Sequence, residues 1–74
     1  MPKLPVISGK ELVKMFSKLR YEVDHQTGSH IILRNKNIPY RRLTIPNHPE
    51  IAKGTLLAIL RQAGLTREDF FNML

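Results

Sequence analysis

Apolar positions along the chain recur in two periods, and the switches between them divide it into elements. Leu12, Met15, Phe16 and Leu19 fall at i, i+3, i+4 and i+7, the spacing of one helix face. Ser8-Gly9-Lys10-Glu11 just ahead of them is a capping box: Ser8 accepts from the Glu11 amide while the Glu11 side chain returns to the Ser8 amide. A first helix is expected to start there, with Ile7 stapled against Leu12. Over residues 21–26 the period shortens to two, which predicts a strand with Tyr21, Val23 and His25 on one side and Glu22, Asp24 and Gln26 on the other. Thr27-Gly28 supplies a tight turn, because glycine accepts a positive φ. Residues 29–34 then form a second strand, Ile31 and Leu33 facing in and His30, Ile32 and Arg34 facing out.

Residues 35–40 are polar and turn-rich, and Pro39 cannot join a central ladder. A third strand is expected over residues 41–45, with Leu43 and Ile45 inward and Arg42 and Thr44 outward, until Pro46-Asn47-His48-Pro49 breaks it. A second helix can begin at Lys53-Gly54-Thr55. Its buried stripe reads Leu56, Leu57, Leu60 and Ala63, widened by Ile59, and Gly64 fits a C′ position with Leu65 packing back. Thr66-Arg67-Glu68-Asp69 is another N-cap, opening a last turn or short helix in which Phe70, Phe71 and Leu74 close the core. The order helix, three strands, helix predicts an α+β fold: a two-layer α-β-β-β-α sandwich with a three-stranded antiparallel sheet and both helices on one face. The opposite face, carrying His30, Arg34, Arg42 and Thr44, is left to solvent or ligand.

Length adds that residues 1–74 make one domain with one small core. The absence of cysteine excludes a disulfide framework, a thiolate nucleophile and any cysteine-based zinc site, and agrees with a reducing cytoplasm. Met1-Pro2-Lys3-Leu4-Pro5-Val6-Ile7 has only a token apolar run broken by prolines, so neither a signal peptide nor a membrane span is expected. Twelve Lys and Arg against six Asp and Glu give a net charge of +6. With a pI near 10.2, that field favours a polyanion as partner. Lys10, Lys14 and Lys18 form a row on the polar side of the first helix, read either as a solvated face or as a phosphate-facing edge.

Candidate chemistry centres on histidine, whose unperturbed pKa lies near physiological pH. Of His25, His30 and His48, only His30 follows a turn glycine onto the predicted open face, and the spacing of the three matches no compact metal-ligand motif. No metal and no cofactor are expected. Ser29 and His30 are adjacent on a strand and point to opposite faces, which argues against a serine hydrolase. RNA cleavage needs less machinery, since the 2′-hydroxyl of the substrate is the nucleophile; one base, one acid and cations on the phosphate suffice. His30 fits the base or the acid. Arg34, Lys36 and Arg42 fit the phosphate, with Gly28, Ser29, Lys14 and Lys18 as further RNA contacts. The second proton-transfer group is not visible.

Gly28-Ser29-His30, Ile45-Pro46-Asn47-His48, the run from Gly54-Thr55-Leu56-Leu57 to Ala63-Gly64-Leu65, and the opening Ser8-Gly9-Lys10-Glu11 together resemble the HicA (YcfA-like) toxins over nearly the whole chain. That resemblance implies a double-stranded-RNA-binding-domain-like fold and a type II toxin that is a metal-independent mRNA endoribonuclease, with the role of catalytic histidine falling on His30. It also implies mRNA as substrate and a HicB antitoxin as the partner that covers the active face. One position departs: family members commonly have glycine before the aromatic that opens the first strand, whereas Arg20 precedes Tyr21 here. A non-catalytic RNA-binding module of the same fold is the alternative. A DNA-binding helix-turn-helix is disfavoured, because three strands separate the two main helices.

Overall fold

The structure is a computed structural model that describes residues 4–74; Met1, Pro2 and Lys3, and the part of the N-terminal reading that falls on them, lie outside the described residues. Helix α1 spans Gly9–Ser17 and starts at the expected capping box. The Ser8 hydroxyl accepts from the Glu11 amide at 3.1 Å and the Glu11 carboxylate accepts from the Ser8 amide at 3.3 Å. Ile7, Leu12 and Phe16 are buried, and Met15 and Leu19 pack against the core from its margin. The helix ends in a tight turn that puts Arg20 at φ +71°, the left-handed region where a side chain is disfavoured. Two bonds hold that turn against the end of the second strand: Arg20 and Leu19 offer their carbonyls to the Lys36 amide at 2.8 Å and the Asn35 side-chain amide at 3.1 Å. The place where glycine was expected is thus a true left-handed cap, occupied by arginine.

Strands β1 (Tyr21–Thr27), β2 (His30–Asn35) and β3 (Arg42–Pro46) form an antiparallel meander in the order β1-β2-β3. Ile31, Leu33, Leu43 and Ile45 alternate inward as expected and are buried under the helices. The third strand is displaced by one residue from the expected span. Arg41 lies outside it, and Pro46 closes it at the free edge, where a missing N–H breaks no ladder. Arg41 instead donates from Nη1 to the Gln62 carbonyl at 3.3 Å, bonding one of the last carbonyls of the second helix.

The larger departure is in β1. Tyr21, Glu22 and Val23 pair with Asn35, Arg34 and Leu33, but His25 pairs with Ile32, so Asp24 is an extra residue in a β-bulge. Past the bulge the expected alternation is inverted. His25 shares the face of Ile32, away from the helices, and Gln26 shares the face of Ile31. The expectation that His25 faces with Tyr21 and Val23 is therefore overturned, because an inserted residue moves every later side chain to the other face.

Helix α2 covers Lys53–Gln62. Its core positions are Leu56, Ile59 and Leu60, with Ala63 completing the stripe at i+7; Leu57 sits at the margin, so Ile59 and Leu57 exchange their expected ranks. The helix closes as a Schellman motif, with the Leu65 amide on the Leu60 carbonyl at 2.8 Å and the Gly64 amide on that of Arg61 at 3.0 Å. Helix α3 (Arg67–Met73) starts from a second capping box, Thr66 with Asp69. Phe70 is fully buried, Phe71 is half-buried, and Leu74 is 64 % exposed, so Phe70 alone plugs the core from this end. One short helix turns only one position squarely inward, and Leu74 lies past its end. Helix α1 packs on β1 and β3, and α2 packs on β3 and α3, leaving one face of the sheet without helices. No helix among the described residues is long and apolar enough to cross a membrane.

Candidate active site

His30 is the first residue of β2, the middle strand, and is exposed on the helix-free face. Its cross-strand neighbours are Thr27 on β1 and Pro46 on β3. The hairpin that delivers it is a two-residue turn with the positive φ confined to Gly28 (+57°), the type II′ pattern of glycine at the first central position. On the other side, the Asn47 amide donates to the Ser29 carbonyl at 2.6 Å, which ties the start of β2 to the loop after β3. His30 is therefore braced by backbone on both flanks.

That bracing also forms a concavity. His30 lines a shallow cleft of about 440 Å³ together with Thr44, His48, Glu50, Ala52 and Thr55. Ala52 and Thr55 belong to the start of α2, whose N-cap supplies no side-chain hydrogen bond. The partial positive end of that helix thus opens beside the imidazole without a side-chain acceptor. His48, expected only as a loop histidine, and Glu50, not singled out by sequence reasoning, enter the site here. The signal for them was the turn Pro46-Asn47-His48-Pro49, but its direction depends on how the loop folds back.

The expected phosphate-binding cations are on the open face, each already engaged. Arg42 donates from Nη1 to Asp24 Oδ2 at 3.2 Å, Lys36 lies 3.9 Å from Glu22 Oε2, and the Arg34 guanidinium stands 4.9 Å over the Tyr40 ring. The surface is thus a mosaic of cations and two carboxylates rather than the uniformly basic field that Arg34, Arg42 and His30 alone suggested. Lys14 and Lys18 are not brought to it. They line a groove with Met73 and Leu74 on the helix layer, whereas Lys10, at the start of α1, shares a recess with His48.

A second imidazole joins the open face through the bulge. His25 Nδ1 lies 2.9 Å from Asp24 Oδ2, the same oxygen that Arg42 contacts. The hydrogen bond from His25, and then the Arg42 guanidinium, hold the Asp24 carboxyl below the usual aspartate range. An ionised carboxylate only accepts, so Nδ1 of His25 carries the proton and Nε2 is the ring's outward atom. Asp24-His25 is plain in the sequence, but strict alternation separates the two residues; only the bulge unites them. Among the described residues no group of three or more His, Cys, Asp or Glu is arranged to hold a metal ion.

A search of curated proteins finds no match to this chain. A family model does: the one described as the HicA toxin of bacterial toxin–antitoxin systems matches residues 9–65, which takes in α1, the whole sheet, the cleft and α2. With that match spanning the greater part of its length, the chain belongs to the HicA toxin family.

Proposed function

We propose that this chain is the toxin of a type II toxin–antitoxin pair and acts as a metal-independent endoribonuclease on mRNA, with His30 as its catalytic base. The observation that carries this reading is the position of His30. It is exposed on the middle strand, on the uncovered face of the sheet, at the lip of a cleft whose polar groups come from Thr44, His48, Glu50 and Thr55 beside the apolar Pro46 and Ala52. In the reaction, His30 takes the proton of a 2′-hydroxyl, the 2′ oxygen attacks the adjacent phosphorus, and the bond to the 5′ oxygen breaks. Arg34, Arg42 and Lys36 supply positive charge to the phosphate as its charge shifts in the transition state. Gly28 and Ser29 shape the turn that presents the imidazole.

A HicB-type antitoxin as partner then has a defined target, the open face with its exposed His30, and the cytoplasm is where both it and the message are met. The test is inducible expression of the native chain and of His30→Gln with RNA integrity followed over time. Growth arrest and RNA fragmentation are expected from the first and neither from the second, with thermal melting the same for both. Chelator added to the purified native chain should leave the cleavage rate unchanged. RNA binding with no cleavage by the native chain would sink the enzymatic reading in favour of a non-catalytic RNA-binding module.

A further inference from the structure

In-line displacement at phosphorus needs proton transfer on two sides, to the base on the attacking side and from an acid on the leaving side. The reading of His30 as base therefore leaves one role open, and the acid must stand within one phosphodiester of it. We propose that His25 is that acid and that Asp24 is the residue that positions it. This rests on the assignment of His30 as a ribonuclease base.

Three observations converge on it. First, His30 pairs with Thr27, and His25 lies two residues before Thr27 on the same strand. The two imidazoles are thus diagonal neighbours, their Cα atoms about 7–8 Å apart by sheet geometry. Second, the diagonal is on the open face only because Asp24 is an inserted residue; His25 pairs with Ile32 rather than with an inward-facing position. Third, among the described residues His25 is the histidine whose ring is bonded to a carboxylate, at 2.9 Å through Nδ1. That contact fixes the ring so that Nε2 is the atom offered to a substrate. The groups around it are Glu22 and Asp24 on β1, His30 and Arg34 on β2, and Arg42 on β3, which donates to the same Asp24 Oδ2 at 3.2 Å.

The step balances without any further reagent. His30 Nε2 or Nδ1 takes the 2′-hydroxyl proton, a bond forms between the 2′ oxygen and phosphorus, and the bond from phosphorus to the 5′ oxygen breaks. The His25 imidazolium gives its Nε2 proton to that oxygen. The products are a 2′,3′-cyclic phosphate and a 5′-hydroxyl, and the two histidines recover their starting states by exchange with water. His48, in the cleft on the β3 side of His30, is the competing acid.

A leaving group that needs no proton separates these roles. Cut sites are first mapped on a transcript cleaved by the native chain. Single-turnover rates are then measured on an oligonucleotide spanning one site, all-oxygen or with sulfur at the bridging 5′ position. His25→Gln is expected to slow the all-oxygen substrate roughly 10²–10⁴-fold, the usual scale of general acid catalysis, and to remove the alkaline limb of the pH–rate profile. The sulfur substrate should restore most of that loss. His30→Gln should be slow on both substrates. Asp24→Asn should show a smaller loss in the same sense, again relieved by sulfur. Native rates in His25→Gln on all-oxygen RNA, or equal slowness on both substrates, would overturn the proposal. Sulfur rescue of His48→Gln in place of His25→Gln would give the role to His48. A native chain that cuts no RNA removes the ribonuclease reading itself, a different failure from an active native chain indifferent to His25.

Discussion

The Gly9 amide donates to the His48 carbonyl at 2.9 Å, so the first residue of α1 is bonded to the loop that forms one wall of the His30 cleft. The approach is so close that a Cβ on Gly9 would collide with the Pro46 carbonyl oxygen, a backbone atom with little room to retreat. Gly9→Ala is therefore expected to destabilise the domain by about 1–3 kcal/mol, the usual scale of overpacking. It should also displace the His48 loop. Urea unfolding reads the first effect, and the chemical shifts of the His48 ring the second.

Arg20 is the mirror case, a residue with a side chain where the backbone is left-handed, φ +71°. A non-glycine residue in that region costs roughly 1–2 kcal/mol, partly offset in glycine by its larger unfolded-state entropy of about 0.5–1 kcal/mol. Arg20→Gly should raise stability by about 0.5–1 kcal/mol by the same balance, whereas Arg20→Ala should not. Equal unfolding midpoints for Gly and Ala at this position would show that the turn bears no strain.

Acid should loosen the fold in a defined window. The Asp69 carboxyl is held below its ordinary value of 3.8 by the Thr66 amide and hydroxyl, and Asp24 is held down chiefly by His25. Both folded-state values lie beneath the unfolded one, so the stability they contribute is complete above the ordinary aspartate range. It is lost as pH falls through the folded value. Asp69→Asn can keep the bond from the Thr66 amide without titrating. Its unfolding midpoint should therefore fall less steeply than that of the native chain between neutral pH and pH 2, measured in urea at each pH.

Arg34 stands over the Tyr40 ring, on the face of His30 but four residues further along β2, which preorganises a guanidinium on the open face. With the His30→Gln chain as an uncut binder, Arg34→Gln should lower the slope of log affinity against log salt by about 0.7, the share of one phosphate on single-stranded RNA. Lys14→Gln combined with Lys18→Gln should leave that slope unchanged if RNA lies on the open face, since those lysines line a groove against α3. Equal effects of the two replacements would extend the RNA path around the domain.

Most of the fold was legible because its signals are local. The boxes at Ser8 and Thr66, the i, i+3, i+4 stripe of α1, the alternation of Ile31, Leu33, Leu43 and Ile45, and the glycine of the Gly28 turn each depend on residues within one or two turns of chain. His30 was legible for the same reason, since a turn glycine and an alternating strand together decide which face it takes. Misreadings fell where packing arbitrates between neighbours. Leu57 and Ile59 differ by about half a turn of one helix, and only the position of the sheet decides which is buried.

The chain by itself determined the order of elements, the uncovered face and the histidine at the end of its middle strand, because hydrophobic period and turn chemistry are properties of short segments. Tertiary structure alone decided what surrounds that histidine. Asp24 becomes a bulge only through the register of β1 on β2, and the extra residue moves His25 onto the face that carries His30. His48 and Glu50 reach the cleft only because Gly9 and Ser29 anchor the loop ahead of α2. Pairing register and loop anchoring are relations between residues far apart along the chain, and no local pattern encodes them.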